Sequence, residues 1–178
     1  MPTINGKACV VNGKPVDKVF SNGGQVYGRN LYVDTKDFNN LGVWTNWSNS
    51  YKTGEKFNGL TVMGMTVDWG GLGQIKQVAK GETYTFSVYA RYQSGTGKSV
   101  VFSIPINSTV TFVIDHFQFS LNETWQRISA TFTVLSDGVA DISLARSNKN
   151  TNTLLIAGPK LEKGTISTPW TPAPEDVM

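Results

Sequence analysis

The sequence predicts an all-β protein, a two-sheet antiparallel β-sandwich with a β-hairpin arm at its N-terminus. Three observations predict it. In Thr83–Tyr92 the residues Tyr84, Phe86, Val88, Ala90 and Tyr92 alternate with Thr83, Thr85, Ser87, Tyr89 and Arg91. A period of two gives one apolar and one mixed face, as in a strand buried on one side. Residues 125–134 repeat the pattern, with Ile128, Ala130, Phe132 and Val134 on one side and Arg127, Ser129, Thr131 and Thr133 on the other. Two such strands can each cover the other's apolar face, which makes a sandwich the simplest architecture. Third, no stretch has convincing helical periodicity beyond a single turn at 35–39.

The first 28 residues read as a hairpin arm, and 29–178 as the main domain. Asn-Gly pairs at Asn5-Gly6, Asn12-Gly13 and Asn22-Gly23 sit beside the short apolar pieces Val10-Val11, Val19-Phe20 and Val26-Tyr27. Asn-Gly accepts the left-handed backbone of a type I′ turn, so one or two small hairpins are expected. Such ribbons bury little alone and need a body or a neighbouring protein to lie against. Leu31-Tyr32-Val33 reads as the first strand of the main domain, followed by an irregular stretch over 38–56 that carries Trp44, Trp47 and Tyr51. Strands are then expected over 60–69, where Gly70-Gly71 breaks the chain, and over 72–78, 83–92 and 99–104. Further strands follow over 109–121, 125–134, 139–146 and 153–161. About ten short strands separated by turn residues describe a sandwich or jelly roll.

Composition sets limits. At 178 residues the chain fits one such domain with an extension, and its 16% charged residues give way to Asn, Thr, Ser and Gly. The net charge of +3 is scattered, which argues against nucleic acid as a partner, and no run is long enough for a membrane-spanning helix. Cys9 is the only cysteine and His116 the only histidine, so neither an internal disulfide nor a Cys/His metal site can form.

The C-terminus carries a resemblance. Ile156-Ala157-Gly158-Pro159-Lys160-Leu161-Glu162-Lys163-Gly164, followed by Ser167-Thr168-Pro169-Trp170-Thr171-Pro172-Ala173-Pro174-Glu175-Asp176, resembles a recurrent ending in tail proteins of phages that infect Gram-positive bacteria. There it closes a jelly-roll carbohydrate-binding module. Tyr27-Gly28-Arg29-Asn30-Leu31, Tyr84–Ala90 and Thr124-Trp125-Gln126-Arg127 sit where such modules have them, so the resemblance covers 27–176. It implies a host cell-wall polysaccharide as ligand and other phage tail proteins as partners. It also implies a place in the virion tail, baseplate or neck, acting at the bacterial surface. A purely structural tail domain is the alternative from another class.

Sugar rings offer flat C–H faces that stack on aromatics, and hydroxyls that need polar partners. Trp44 and Trp47, three apart in a polar segment, answer that description, with Tyr51 nearby. Trp69 follows Asp68 at a strand end, and Tyr89 and Arg91 lie on the mixed face of the central strand. These residues are expected to converge on one exposed groove. His116 is read as a satisfied, partly buried imidazole, with groove contact as the alternative. Trp125 and Trp170 are read as structural, one capping a sheet and the other pinning the tail.

A glycosidase needs two carboxyl groups facing one cleft. Only Asp68 and Asp115 lie in strand-like pieces near candidate contacts, and no catalytic motif is present, so the chain is read as no enzyme. No cofactor is expected from the residues themselves. The resemblance implies a structural calcium between first and last strands, to which Glu162, with Asn30 or Asp34, would give oxygen ligands. The preferred reading of Glu162 is an ordinary surface carboxylate.

Overall fold

The computed structural model describes residues 7–105, 116–147 and 151–178. Four short strands open the chain: β1 (Val10–Val11), β2 (Lys14–Pro15), β3 (Lys18–Ser21) and β4 (Gly24–Gly28). They pair as two separate antiparallel ribbons. Asn12, Gly13, Asn22 and Gly23 all have positive φ, between 50° and 78°, as the Asn-Gly pairs predict for type I′ turns. Asn5-Gly6 lies outside the described residues.

Ten strands form the sandwich. They are β5 (Thr45–Trp47), β6 (Tyr51–Phe57), β7 (Leu60–Met65), β8 (Gly71–Val78), β9 (Thr83–Tyr92), β10 (Gly97–Pro105), β11 (His116–Leu121), β12 (Gln126–Thr133), β13 (Gly138–Arg146) and β14 (Leu154–Lys163). The front sheet has the order β11-β10-β13-β8-β5, the back sheet β12-β9-β14-β7-β6, and every pairing is antiparallel. The core between them takes Tyr84, Phe86, Val88, Ala90 and Tyr92 from β9, Ile128, Ala130 and Phe132 from β12, and Ala140, Ile142 and Leu144 from β13. Aromatic pairs fix the packing: Tyr84 stacks on Phe132 at 6.0 Å between centroids, and Tyr32 meets Trp44 edge-on at 5.9 Å.

Three expectations change. The strands β9 and β12 lie side by side in one sheet, Ala130 opposite Phe86, instead of facing each other across the core. Each therefore extends a common apolar face that the front sheet covers. Residues 31–33 are no strand, because side chains take their backbone groups. Tyr32 N donates to Asn30 Oδ1, Val33 N to Gln74 Oε1, and Asp34 turns the chain at φ 54°. The stretch 38–56, which lacks a regular pattern in sequence, holds two strands at the sheet edges and a short 3-10 turn at Leu41–Val43. Of the expected strand 109–121, the part before His116 lies outside the described residues.

The back sheet is strapped by the chain ends. In β14 the register shifts between Ala157 and Lys160, where Gly158 takes φ 55°. That bulge lets Pro159 O accept from Asn30 Nδ2 and Gly158 O from Arg127 Nη1. A Cβ at Gly158 would overlap the Trp170 ring, so Trp170 seats on the bare backbone there. The Gly158-Pro159 pair thus explains why the C-terminal motif has this form: it makes the seat for its own tail.

Candidate functional site

The outer face of the front sheet is built in cross-strand rows. One row runs Trp47, Gly71, Ala145, Val100, Gln118; the next Thr45, Gly73, Ser143, Phe102, His116; a third Ile75, Asp141, Ile104. The residues in the middle of the face, at 71, 73, 143 and 145, are small, and all four are buried. A Cβ at Gly71 would come within 2.8 Å of Leu144 O, and one at Gly73 within 2.7 Å of Ser143 Cβ. Trp47, on the edge strand, ends the first of these rows and is half-buried. The side chains of Phe102 and His116 lie outside what is described.

The polar atoms here lack partners. Asp141 is 0% exposed, yet neither carboxylate oxygen accepts a hydrogen bond. Ser143 Oγ and Trp47 Nε1 are likewise buried without partners. Most buried polar groups in folded proteins are paired, because an unmade bond costs about 1–3 kcal/mol. Burial raises the Asp141 pKa above the ordinary carboxylate value, while Thr45 and Trp47 stand near enough to favour the ionised form without completing a hydrogen bond. Two carboxylate oxygens, a hydroxyl and an indole N–H are thus buried together on neighbouring strands of the front sheet.

The predicted site residues divide between two sides of the molecule. Trp44 is 6% exposed and belongs to the core, against Tyr32 and Phe38. Its expected place in an open groove is corrected, because the turn at Leu41–Val43 directs it inward. Trp69 is 56% exposed at φ 64°, and the neighbouring Gly70 abuts Trp47 O and Ser48 Cβ, so Trp47 and the Trp69 turn share one end of the front sheet. Asp68 is tied to Arg146 at 3.4 Å.

Tyr51, Tyr89 and Arg91 do not converge with them. Tyr51 lies over Gly64 on the back sheet. Tyr89 meets Phe57 at 5.2 Å, and Arg91 sits over Trp125, itself stacked on Phe57 at 4.4 Å. The mixed face of β9 points away from the front sheet, since alternation fixes opposite directions for Phe86 and Tyr89. Asp141, Ser143 and Gly73 were missed in the sequence. The alternation of Ala140, Ile142 and Leu144 already turned Asp141 outward, but it carried no sign that this position is covered.

The residues proposed for calcium do not fit it. Asn30 is buried with both amide atoms engaged: Oδ1 accepts from Tyr32 N and Leu161 N, and Nδ2 donates to Thr35 Oγ1, Pro159 O and Thr171 O. Its oxygen has no lone pair left for a metal. Asp34 accepts from Asn39 N and Asn40 N. Glu162 is 0% exposed instead of lying at the surface, and accepts from Thr168 N and Thr168 Oγ1, both at 2.8 Å. Its cation is Lys160, at 3.8 Å and equally buried, which donates to Thr168 Oγ1 and Pro169 O. Calcium asks for six to eight oxygens; here an ammonium holds the carboxylate. Among the described residues, no group of three or more His, Cys, Asp or Glu is placed to hold a metal.

The fold is a two-sheet antiparallel β-sandwich. A family model described as a carbohydrate binding domain matches residues 21–145, and the chain belongs to that family. No curated protein matches the sequence. Among solved structures, one described under "CBM4 structure and function" is similar at TM-score 0.53 and 19% identity, covering 72% of this chain and 92% of that one. A putative sugar binding protein from Bacteroides thetaiotaomicron is similar at TM-score 0.51 and 15% identity, over 76% and 86% of the two chains. The enzymatically active domain of tailspike protein 4 from bacteriophage CBA120 is similar at TM-score 0.53 and 14% identity, over 76% of this chain and 21% of that one. At these identities the likeness is one of fold.

Proposed function

We propose that the chain binds a saccharide, without chemistry, at the end of the front sheet where Trp47 and the Trp69 turn lie together. The observation that carries this reading is that aromatic pair, Trp69 exposed and Trp47 half-buried, on a chain whose family is a carbohydrate binding domain. A sugar ring face stacks on such indoles while its hydroxyls take polar partners. Hydrolysis would require a second facing carboxyl group. Asp141 is the only carboxylate among the described strand residues of this face.

The ligand in this reading is a host cell-wall polysaccharide, and the setting a phage tail, baseplate or neck protein that promotes adsorption. The C-terminal motif supports that setting, and the tailspike domain shares the fold. The arm at 1–28 joins the module to neighbouring tail proteins; Val11 and Phe20 on its two ribbons are exposed, while Tyr27 is buried against the module at 29–178. The test is retention of a fluorescent fusion on Gram-positive cells and on purified wall polysaccharide. Trp47→Ala and Trp69→Ala should lose retention while melting cooperatively. Parent-level retention in both variants would refute this site.

A further inference from the structure

We propose that Asn46 and Arg146 are positioning residues: each clamps one of two adjoining turns, and together they fix Trp47 and Trp69 as one platform before a ligand arrives. The inference rests on the saccharide reading above and adds which side chains hold that site in shape.

Both turns carry an unfavourable backbone. Ser48 and Asn49 leave β5 at φ 61° and 60°, and Trp69 leads into β8 at φ 64°. Asparagine accepts this left-handed conformation, but serine and tryptophan do so at a cost, because Cβ crowds the backbone. Such residues persist only where their surroundings over-determine them, and they cluster at ligand sites. Here they meet at one end of the front sheet. A Cβ at Gly70 would stand 3.4 Å from Trp47 O and 3.6 Å from Ser48 Cβ, so the two turns touch.

Asn46 holds the first turn. Its Nδ2 donates to Ser50 O at 2.9 Å and its Oδ1 accepts from Ser50 N at 2.7 Å, so the side-chain amide closes 46–50 as a backbone pair would. Ser50 Oγ donates in turn to Gly71 O at 3.3 Å, which ties this turn to the chain beyond the other. Asn46 is itself exposed, so burial does not require its two bonds.

Arg146 holds the second turn. It continues the alternation of Ala140, Ile142 and Leu144, and so leaves the end of β13 on the core side. Only 3% of it is exposed. Its Nη1 donates to Thr66 O, and its Nη2 lies 3.4 Å from Asp68 Oδ1. Its backbone completes the arrangement: Trp69 N donates to Arg146 O, and Arg146 N donates to Gly70 O at 3.0 Å. Thr66, Asp68, Trp69 and Gly70 are thus all engaged by one arginine, whose planar fork holds two acceptors in fixed directions as an ammonium does not. Ordering the turns in the free protein spares that ordering when a ligand binds.

The test labels the full chain with fluorotryptophan and assigns the Trp47 and Trp69 fluorine resonances from Trp47→Phe and Trp69→Phe. Asn46→Ala should shift or broaden the Trp47 resonance, and Arg146→Lys that of Trp69. The Trp44, Trp125 and Trp170 resonances should stay in place and melting should remain cooperative. Affinity for purified Gram-positive wall polysaccharide should fall about tenfold or more in each variant. Gly70→Ala, whose Cβ would come within 2.8 Å of Val67 O, displaces the second turn with Arg146 intact and should repeat the Trp69 effect if Arg146→Lys does not fold. Trp47 and Trp69 resonances left in place by Asn46→Ala and by the second-turn variant overturn the clamps. Resonances that move while affinity stays at the parent level overturn their role in binding. If the folded parent does not bind the polysaccharide, the saccharide reading falls, and the resonances still decide whether Asn46 and Arg146 hold the turns.

Discussion

The Asp141 carboxylate lies directly over the backbone of Gly73, on the neighbouring strand β8, so closely that a Cβ at position 73 would overlap Oδ1. The glycine is what lets a carboxylate lie down within the sheet face instead of standing out into solvent. Gly73→Ala should therefore expel Asp141 from its position, costing about 1–3 kcal/mol of stability through overpacking. A Gly73→Ala protein as stable as the parent in denaturant unfolding would show that this close approach carries no cost.

The tryptophans should separate by role. Trp44→Ala opens a cavity against Tyr32 and Phe38 and should cost about 3–5 kcal/mol in denaturant unfolding. Trp47→Ala should cost less in stability and lose most of the binding. Arg91→Ala, on the back sheet with Trp125, should leave binding as it is. Equal destabilisation by Trp44→Ala and Trp47→Ala would place both rings in the core.

Lys160 and Glu162 should behave as a unit. Removing one member of a buried pair strands the other, at about 3–5 kcal/mol. Lys160→Met is expected in that range, whereas Lys160→Met combined with Glu162→Gln should recover part of the loss, because glutamine keeps an acceptor for Thr168 N. A double variant less stable than the single one would contradict the coupling.

The same lysine gives a pH dependence of defined sign. Burial, opposed by Glu162 and aided by Arg127, lowers the Lys160 pKa from 10.5 to about 8. Between those values the unfolded chain holds a proton that the folded chain has released, so stability rises with pH through this window. Tyr32 and Tyr84 act oppositely above pH 10, because burial first, helped by Asp141 and Glu82 respectively, raises their pKa above the ordinary tyrosine value. A melting temperature that climbs from pH 8 to 10 in the parent, and stays flatter in the double variant, is the expected outcome. An identical climb in both would remove Lys160 as its source.

Chelation tests the back face independently. With the Asn30 oxygen saturated and Glu162 held by an ammonium, a chelator should leave the melting temperature unchanged. A drop reversed by added calcium would show that these groups rearrange around a metal.

The sequence by itself determined the all-β class and the strands whose apolar residues alternate; it did not show β5 and β6, and it placed a strand at 31–33 where there is none. Apolar alternation in β9, β12 and β13 is local, and each residue's side follows from a period of two. The Asn-Gly hairpins were legible for the same reason, since the turn conformation depends on the two residues that make it. Tertiary structure alone decided which strands are neighbours, and hence that Tyr89 and Arg91 lie on the opposite side of the sandwich from Trp47. It alone turned Trp44 inward and set a lysine against Glu162. It also brought Gly73 under Asp141, 68 residues apart in the chain by their numbers. Alternation states only that a side chain leaves one face of its own strand. What waits there, solvent, a strapped tail or a glycine that leaves room for a carboxylate, is set by pairing between distant segments, which no local pattern encodes.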